Sequence, residues 1–127
     1  MQNCDAVKSD TASYSSIVLS NGMTLLFRSF NRNCTNNQYY PETCGNITVD
    51  INGRQKPNKN GKDRFGFWVT KTKIVPIGTK GAKYSFNKYC NLETSEMNAC
   101  AAWVLYNENM DYLHCTGLDW DGKTKCK

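Results

Sequence analysis

The residues best suited to chemistry in this 127-residue chain are the oxygen-bearing side chains of one polar loop, Asp50, Asn52, Asn58, Asn60 and Asp63. Carboxylate and amide oxygens are ligands that Ca²⁺ prefers, and nearby glycines let backbone carbonyls turn inward. The spacing does not match an EF-hand, and lysines within the loop repel a cation. The sequence therefore favours a structural loop in which Asp50 and Asp63 cap backbone amides. A weak calcium site formed by Asp50, Asn52, Asn58 and Asp63 is the alternative, and we expect no other cofactor.

Catalytic residues are not expected. His114 is the single histidine, and although it adjoins Cys115, a cysteine in a disulfide cannot act as a nucleophile. The chain contains no glycine-rich phosphate loop, no G-x-S-x-G turn and no H-E-x-x-H helix. We therefore expect no enzymatic activity.

Seven cysteines in so short a chain indicate an oxidising compartment. Sequence alone does not determine how they pair, but an odd number leaves one cysteine over. Three pairs would each close a loop of about ten residues, contributing roughly 2–3 kcal/mol in the chain-entropy model. These pairs are Cys34–Cys44, Cys90–Cys100 and Cys115–Cys126, which leaves Cys4 unpaired or bonded to a partner upstream.

Composition points to one globular domain spanning residues 1–127. Hydrophobic residues make up 39% and aromatic residues 12%, which is sufficient for a core. The net charge of +5 comes with scattered lysines, so we expect no nucleic-acid partner. The first residues are polar, without signal peptide or membrane span. We therefore expect the chain to be the exported part of a longer protein, against the alternative of a cytosolic protein with seven thiols.

The elements that position these residues are mainly strands. Residues 16–30 predict a hairpin, and Asn21-Gly22 suits a two-residue type I′ turn between its strands. Residues 1–14 show no regular spacing of apolar side chains. Residues 47–51 alternate, with Ile47, Val49 and Ile51 on one face and Asp50 on the other. Further strands are predicted at 65–70 and 73–78, with irregular segments at 31–44, 52–63 and 79–91.

The C-terminal third is harder to assign. Residues 93–105 favour a short helix opening near Thr94-Ser-Glu-Met, with a strand at 102–106 as the alternative, and the tail is a loop with a turn at 119–122. The expected fold class is α+β, mostly antiparallel β, with four or five strands and disulfide-stapled loops.

Aromatic residues fall into two groups. Those in strand and tail positions are expected to complete the core rather than bind a ligand: Trp68, Trp103, Tyr106, Tyr112 and Trp120. Tyr39 and Tyr40 lie in a polar loop and are the candidates for an exposed contact patch. Binding, where present, is expected in the loops 31–44 and 79–91.

Three pieces of sequence, in this order, resemble bacterial type IV pilin-like and type II secretion pseudopilin-like proteins across residues 16–126. They are the Asn-Gly hairpin, the loop Asp50-x-Asn-Gly…Pro57-Asn58…Gly61-x-Asp63-x-Phe65, and Cys100-x-x-Trp103…Asn109-Met-Asp-Tyr-Leu113…Cys115 followed by Trp120 and Cys126. The N-terminal cleavage motif and helix of such proteins are absent from this sequence.

The resemblance implies a structural protein. In such proteins a long apolar N-terminal helix packs into the filament core, and the head is an antiparallel sheet laid on the C-terminal half of that helix. The chain would then be the soluble head of a pilus or pseudopilus subunit. Its partners would be other subunits, which it would contact through the missing helix. The same helix would anchor the full-length protein in the membrane before assembly. The head would then lie at the cell surface or in the periplasm. The alternative is a small secreted disulfide-rich binding module, an adhesin or carbohydrate binder.

Overall fold

The structure is a computed structural model that describes residues 3–8, 13–53, 55, 59–80, 82–90 and 99–126, with the backbone alone for 3–8, 13 and 14. Six strands form one antiparallel sheet in which each strand pairs with its neighbours in sequence. They are β1 Asn3–Lys8, β2 Ser13–Val18, β3 Thr24–Ser29, β4 Thr43–Asp50, β5 Arg64–Thr70 and β6 Ile74–Pro76. Two helices, α1 Phe86–Tyr89 and α2 Cys100–Asn107, and a 3₁₀ turn at Asp111–Leu113 follow within the described residues. The predicted α+β class with a mostly antiparallel sheet is confirmed.

The predicted hairpin forms between β2 and β3, but the prediction of its turn is wrong. The Leu19 N–H donates to Met23 O at 2.8 Å, and the Gly22 N–H donates to Leu19 O at 2.9 Å. The loop between the paired residues therefore contains three residues rather than two. Gly22 has a φ of 91°, whereas Asn21 is not among the residues with positive φ. Gly22 thus supplies the left-handed residue that ends a three-residue connection.

Strand β4 lies at the centre of the sheet and carries a bulge. Thr43 pairs with Thr70 and Gly45 pairs with Val69, which leaves Cys44 as the extra residue. A Cβ on Gly45 would lie 2.0 Å from the backbone oxygen of Arg28 on β3. The close approach of β3 at this point therefore requires glycine.

Two elements lie where the sequence predicts irregular structure. Strand β1 pairs with β2 from Asn3 opposite Val18 to Lys8 opposite Ser13, which raises the number of strands to six. A backbone ladder beside an existing strand does not need strict alternation of side chains. Helix α1 falls in the predicted loop 79–91, and its four residues are too few for helical periodicity to show.

Helix α2 settles the choice between helix and strand for residues 100–107, and the predicted helix opening at Thr94-Ser-Glu-Met lies outside the described residues. The Ala102 N–H donates to Ile77 O at 3.1 Å, which ties the helix to the end of β6. Gly78 follows with a φ of 106°, and a Cβ there would lie 2.0 Å from Ala99 O. Within the described ranges, no helix is both long and apolar enough to cross a membrane.

Three disulfides join the loops, in the pairs that the short gaps predict: Cys34–Cys44, Cys90–Cys100 and Cys115–Cys126. The first closes the loop before β4, the second links α1 to α2, and the third closes the tail. Cys4 lies on β1 opposite Ile17. The disulfides indicate an oxidising environment, extracellular or periplasmic.

The core lies on one side of β5 and β6. Trp68 and its cross-strand partner Val75 are 1% and 6% exposed, and they pack with Ile77 and Ala99. We call this side of the sheet the covered face. Because Ala99 directly precedes α2, the helix lies on this face.

Candidate functional site

The loop between β4 and β5 holds its two carboxylates in protein contacts. Asp50 is 2% exposed, and its Oδ2 accepts a hydrogen bond from Arg64 Nε at 2.8 Å. Asp63 Oδ1 accepts from the Lys59 N–H at 2.6 Å, as the backbone-capping interpretation predicts. Asp50 instead forms an ion pair with its direct cross-strand neighbour, because Asp50 and Arg64 are opposite each other in the ladder.

The calcium hypothesis remains a prediction. Asp50, Asn52, Asn60 and Asp63 lie in the described residues, whereas Asn58 lies outside them. Ile51 N–H donates to Asp63 O at 2.8 Å, so the two ends of the loop meet. Among the side chains that the structure describes, no group of three or more His, Cys, Asp or Glu residues is placed to hold a metal ion.

The Cys/His pair considered from sequence has no free thiol. Cys115 is bonded to Cys126, and the adjacent His114 is exposed. The Cys115 sulfur is therefore not a nucleophile in this state.

Tyr39 and Tyr40 are not freely exposed, and their role as a contact patch remains a prediction. Both are half-buried and pack against the core around Trp68. The Tyr39 ring stacks on Trp68 with centroids 5.3 Å apart and on Tyr84 with centroids 5.7 Å apart. The disulfide-closed loop 31–44 is thus folded onto the covered face, and its tyrosines present only part of each ring to solvent.

A second aromatic cluster forms around α2 and the tail. Trp103 is fully buried and stacks on Phe86 with centroids 3.9 Å apart, and Trp120 packs beside both rings. The Trp103 Nε1–H donates to Asn109 Oδ1 at 3.0 Å, which holds the tail against the helix. The predicted core positions of Trp68 and Trp103 are confirmed, and Trp120 is half-buried. Tyr106 is 59% exposed, so its assignment to the core is wrong.

Tyr112 connects this cluster to the loop before β5. Its hydroxyl donates to the backbone oxygen of Gly61 at 2.5 Å, and its ring packs edge-on against Phe86. Burial raises the pKa of the Tyr112 hydroxyl well above its usual range, because a phenolate would lose solvation there. The predicted turn at 119–122 is also confirmed, since Asp119 Oδ1 accepts from the Asp121 N–H at 2.9 Å.

The opposite side of the sheet is apolar. Register places the following side chains on this side, which we call the open face: Ile17, Leu25, Phe27, Ile47, Val49, Phe65, Phe67 and Val69. Phe65 is 8% exposed, the other seven are half-buried, and Ile74 at the β6 edge of the same face is 60% exposed. The alternation predicted for Ile47 and Val49 is confirmed, whereas Ile51 lies beyond the strand and is 51% exposed.

No helix in the described part of the chain contacts β1, β2, β3 or β4. Helix α2 contacts β5 and β6, on the covered face. A shallow depression of about 180 Å³ on the open face is lined by residues that include Phe27, Gly45 and Val69. An antiparallel sheet usually buries its apolar face against another layer, and contiguous apolar patches of this kind mark interaction sites. The open face is therefore the candidate functional site.

The sequence contained part of the signal for this site. The alternation of side chains in β4 was visible in the sequence. The extension of the apolar face across β2 and β3 depends on the strand register, which could not be predicted correctly because the turn at Gly22 was misassigned.

Comparison of the chain with protein-family models, with curated proteins and with solved structures finds no match.

Proposed function

We propose that this chain is the soluble head of a pilin-like or pseudopilin-like subunit, a structural part of a type IV pilus or type II secretion filament. The observation that carries the proposal is the open face, an apolar side of an antiparallel sheet on which no described helix lies. The sequence resemblance implies a head whose sheet is laid on a long apolar helix. Such a helix would cover the open face.

Two further features support the proposal. Three disulfides suit a protein that is exported before assembly. The side chains on the other side of β3 and β4 are mostly polar, with Arg28 opposite Asn46, so the apolar side of these two strands is the open face.

The natural gene offers the first test. A pilin-like subunit requires a short basic leader and about twenty apolar residues ahead of the head, enough for a long apolar helix. A cleavable signal with no retained helix would instead support the secreted binding module.

Fractionation of the source cells tests the filament role directly. Sheared surface filaments should contain the full-length protein, and the substitution Ile47→Asp on the open face should remove it from them. Asn46→Asp is the matched control, because it introduces the same charge on the neighbouring residue of the other face, where Arg28 lies opposite. Recovery of the wild-type protein only as a free monomer in the medium would refute the proposal.

A further inference from the structure

Two loops that are far apart in sequence meet on the covered side of the sheet. The Lys83 N–H donates to Tyr39 O at 3.5 Å, and Lys83 Nζ donates to Gln38 Oε1 at 2.8 Å. The rings of Tyr39, Trp68 and Tyr84 are mutually stacked, with centroids 5.3 to 6.1 Å apart. The sheet side chain Trp68 is therefore the base on which both loops are assembled.

Lysine side chains lie over the outer rings of this assembly. Lys83 Nζ is 5.1 Å from the ring centroid of Tyr39 and 5.5 Å from that of Tyr84. Lys73 lies 5.6 Å from the Tyr40 centroid, and Lys88 lies 5.2 Å from the Tyr89 centroid. We call this set of residues the tyrosine–lysine surface: Tyr39, Tyr40, Tyr84, Tyr89, Lys73, Lys83 and Lys88.

The charge of this surface comes from its three lysines. All three lysines are exposed, and none forms an ion pair with a carboxylate in the described ranges, unlike Lys80, which pairs with Asp121. Contacts with ring faces hold the ammonium groups in place without removing their charge. The surface therefore presents fixed cations beside half-buried tyrosines.

This chemistry favours oxygen anions over nucleobases. Binding of single-stranded nucleic acid uses free ring faces on which bases stack. Here Tyr39 and Tyr84 stack on each other and on Trp68, and Lys83 lies over both tyrosines. The groups that remain for a ligand are the ammonium N–H donors, the hydroxyls of Tyr39, Tyr40 and Tyr89, and the Gln38 amide. They suit carboxylate or sulfate groups and the sugar hydroxyls between them.

We propose that the tyrosine–lysine surface binds an anionic polysaccharide, with the three ammonium groups on its acidic groups and the hydroxyls of Tyr39, Tyr40 and Tyr89 on neighbouring sugar hydroxyls. The site goes beyond the structural role and does not depend on it, because it lies on the side of the sheet opposite the open face. Occupation of the open face by a helix leaves it accessible.

The test measures equilibrium binding of the whole 127-residue chain to four probes at low and physiological salt. Heparin supplies sulfate groups, hyaluronan supplies carboxylates, dextran is the neutral control and a thymidine oligonucleotide represents nucleic acid. Binding to heparin or hyaluronan, with dextran inactive, is the expected result, and the comparison of the two identifies the acidic group.

Two charge-matched variants separate the site from the general positive charge. Lys73→Gln, Lys83→Gln and Lys88→Gln together should weaken binding by about tenfold or more, equivalent to about 1.4 kcal/mol. The control combines Lys62→Gln, Lys123→Gln and Lys125→Gln, all exposed lysines elsewhere, and removes the same three charges from the net +5. The control should weaken binding by less than about threefold, since only long-range attraction changes.

A third variant keeps every charge. Tyr39→Phe with Tyr89→Phe retains the rings and removes two hydroxyls. A loss of affinity of about threefold relative to the wild type is expected, because these hydroxyls contact sugar. Near-ultraviolet circular dichroism establishes that each variant is folded. Equal weakening by both lysine triples, binding to the oligonucleotide alone, or no binding to either acidic glycan would each overturn the proposal.

Discussion

A matched pair of valine substitutions measures how different the two faces of the sheet are. Val75 on the covered face is 6% exposed, whereas Val49 on the open face is half-buried. Val→Thr keeps the shape and the β-branching, so the change is confined to one hydroxyl. A hydroxyl buried without a partner costs about 1–3 kcal/mol, and one that reaches water costs less than about 0.5 kcal/mol. We therefore expect Val75→Thr to lower the free energy of unfolding by about 2 kcal/mol and Val49→Thr to leave it nearly unchanged.

Urea unfolding of the disulfide-intact protein, followed by tryptophan fluorescence, provides the assay, since Trp68 and Trp103 are fully buried. A loss of about 2 kcal/mol lowers the urea midpoint by about 1 M at a slope typical of this chain length. An equal loss for Val49→Thr would refute the reasoning, because it would mean that the open face is already covered. Repeating the measurement over a range of protein concentrations identifies a second copy of the chain as the cover, since the midpoint then depends on concentration.

Four further outcomes are expected. Gly78→Ala should lower the free energy of unfolding more than Gly22→Ala in the same assay. Both glycines have positive φ, but only at Gly78 would a Cβ meet Ala99 O. Equal losses would contradict the tight docking of α2. The raised pKa of Tyr112 contributes stability that is fully present below about pH 10 and is lost as pH rises through the folded-state pKa. Tyr112→Phe should therefore remove one late-ionising tyrosine from a titration followed at 295 nm and should flatten the alkaline loss of stability. Alkylation before reduction, read by mass spectrometry, should label Cys4 alone, and labelling of all seven cysteines would place the chain in a reducing compartment. About 10 mM Ca²⁺ should leave the melting temperature unchanged, because the carboxylates of the loop before β5 are bound within the protein; a clear rise would establish the weak calcium site instead.

The sequence predicted the central strands, the hairpin and the disulfide loops because their signals are local. Alternation at Ile47 and Val49, and cysteines about ten residues apart, need no knowledge of the rest of the chain. Strand β1 was not predictable in this way, since it is defined by its ladder with β2. The burial of Asp50 was also hidden, because it depends on Arg64 lying directly opposite, a fact of register rather than of pattern.

The candidate sites show the same division between local and long-range information. Tyr39 and Tyr40 were singled out from sequence as exposed residues, but both are half-buried because they pack against the core, where Tyr39 stacks on Trp68. The lysines that accompany them come from another loop and from the turn before β6. Two Lys-Tyr dipeptides, Lys83-Tyr84 and Lys88-Tyr89, were visible in the sequence. Their proximity to Tyr39 depends on the fold and could not be predicted from the sequence.

The two surfaces are related through the pleat of β5. Trp68 points to the covered face and carries the tyrosine–lysine surface, while its neighbours Phe67 and Val69 point to the open face. One strand therefore supports an apolar side that suits a helix and a cationic side that suits a soluble acidic polymer. A subunit bound through the first side would repeat the second along a filament, and repetition of a weak site raises the avidity for a long polysaccharide without any new contact. The two proposed roles, filament assembly and glycan binding, would thus use separate residues, and a variant that fails in one is expected to keep the other.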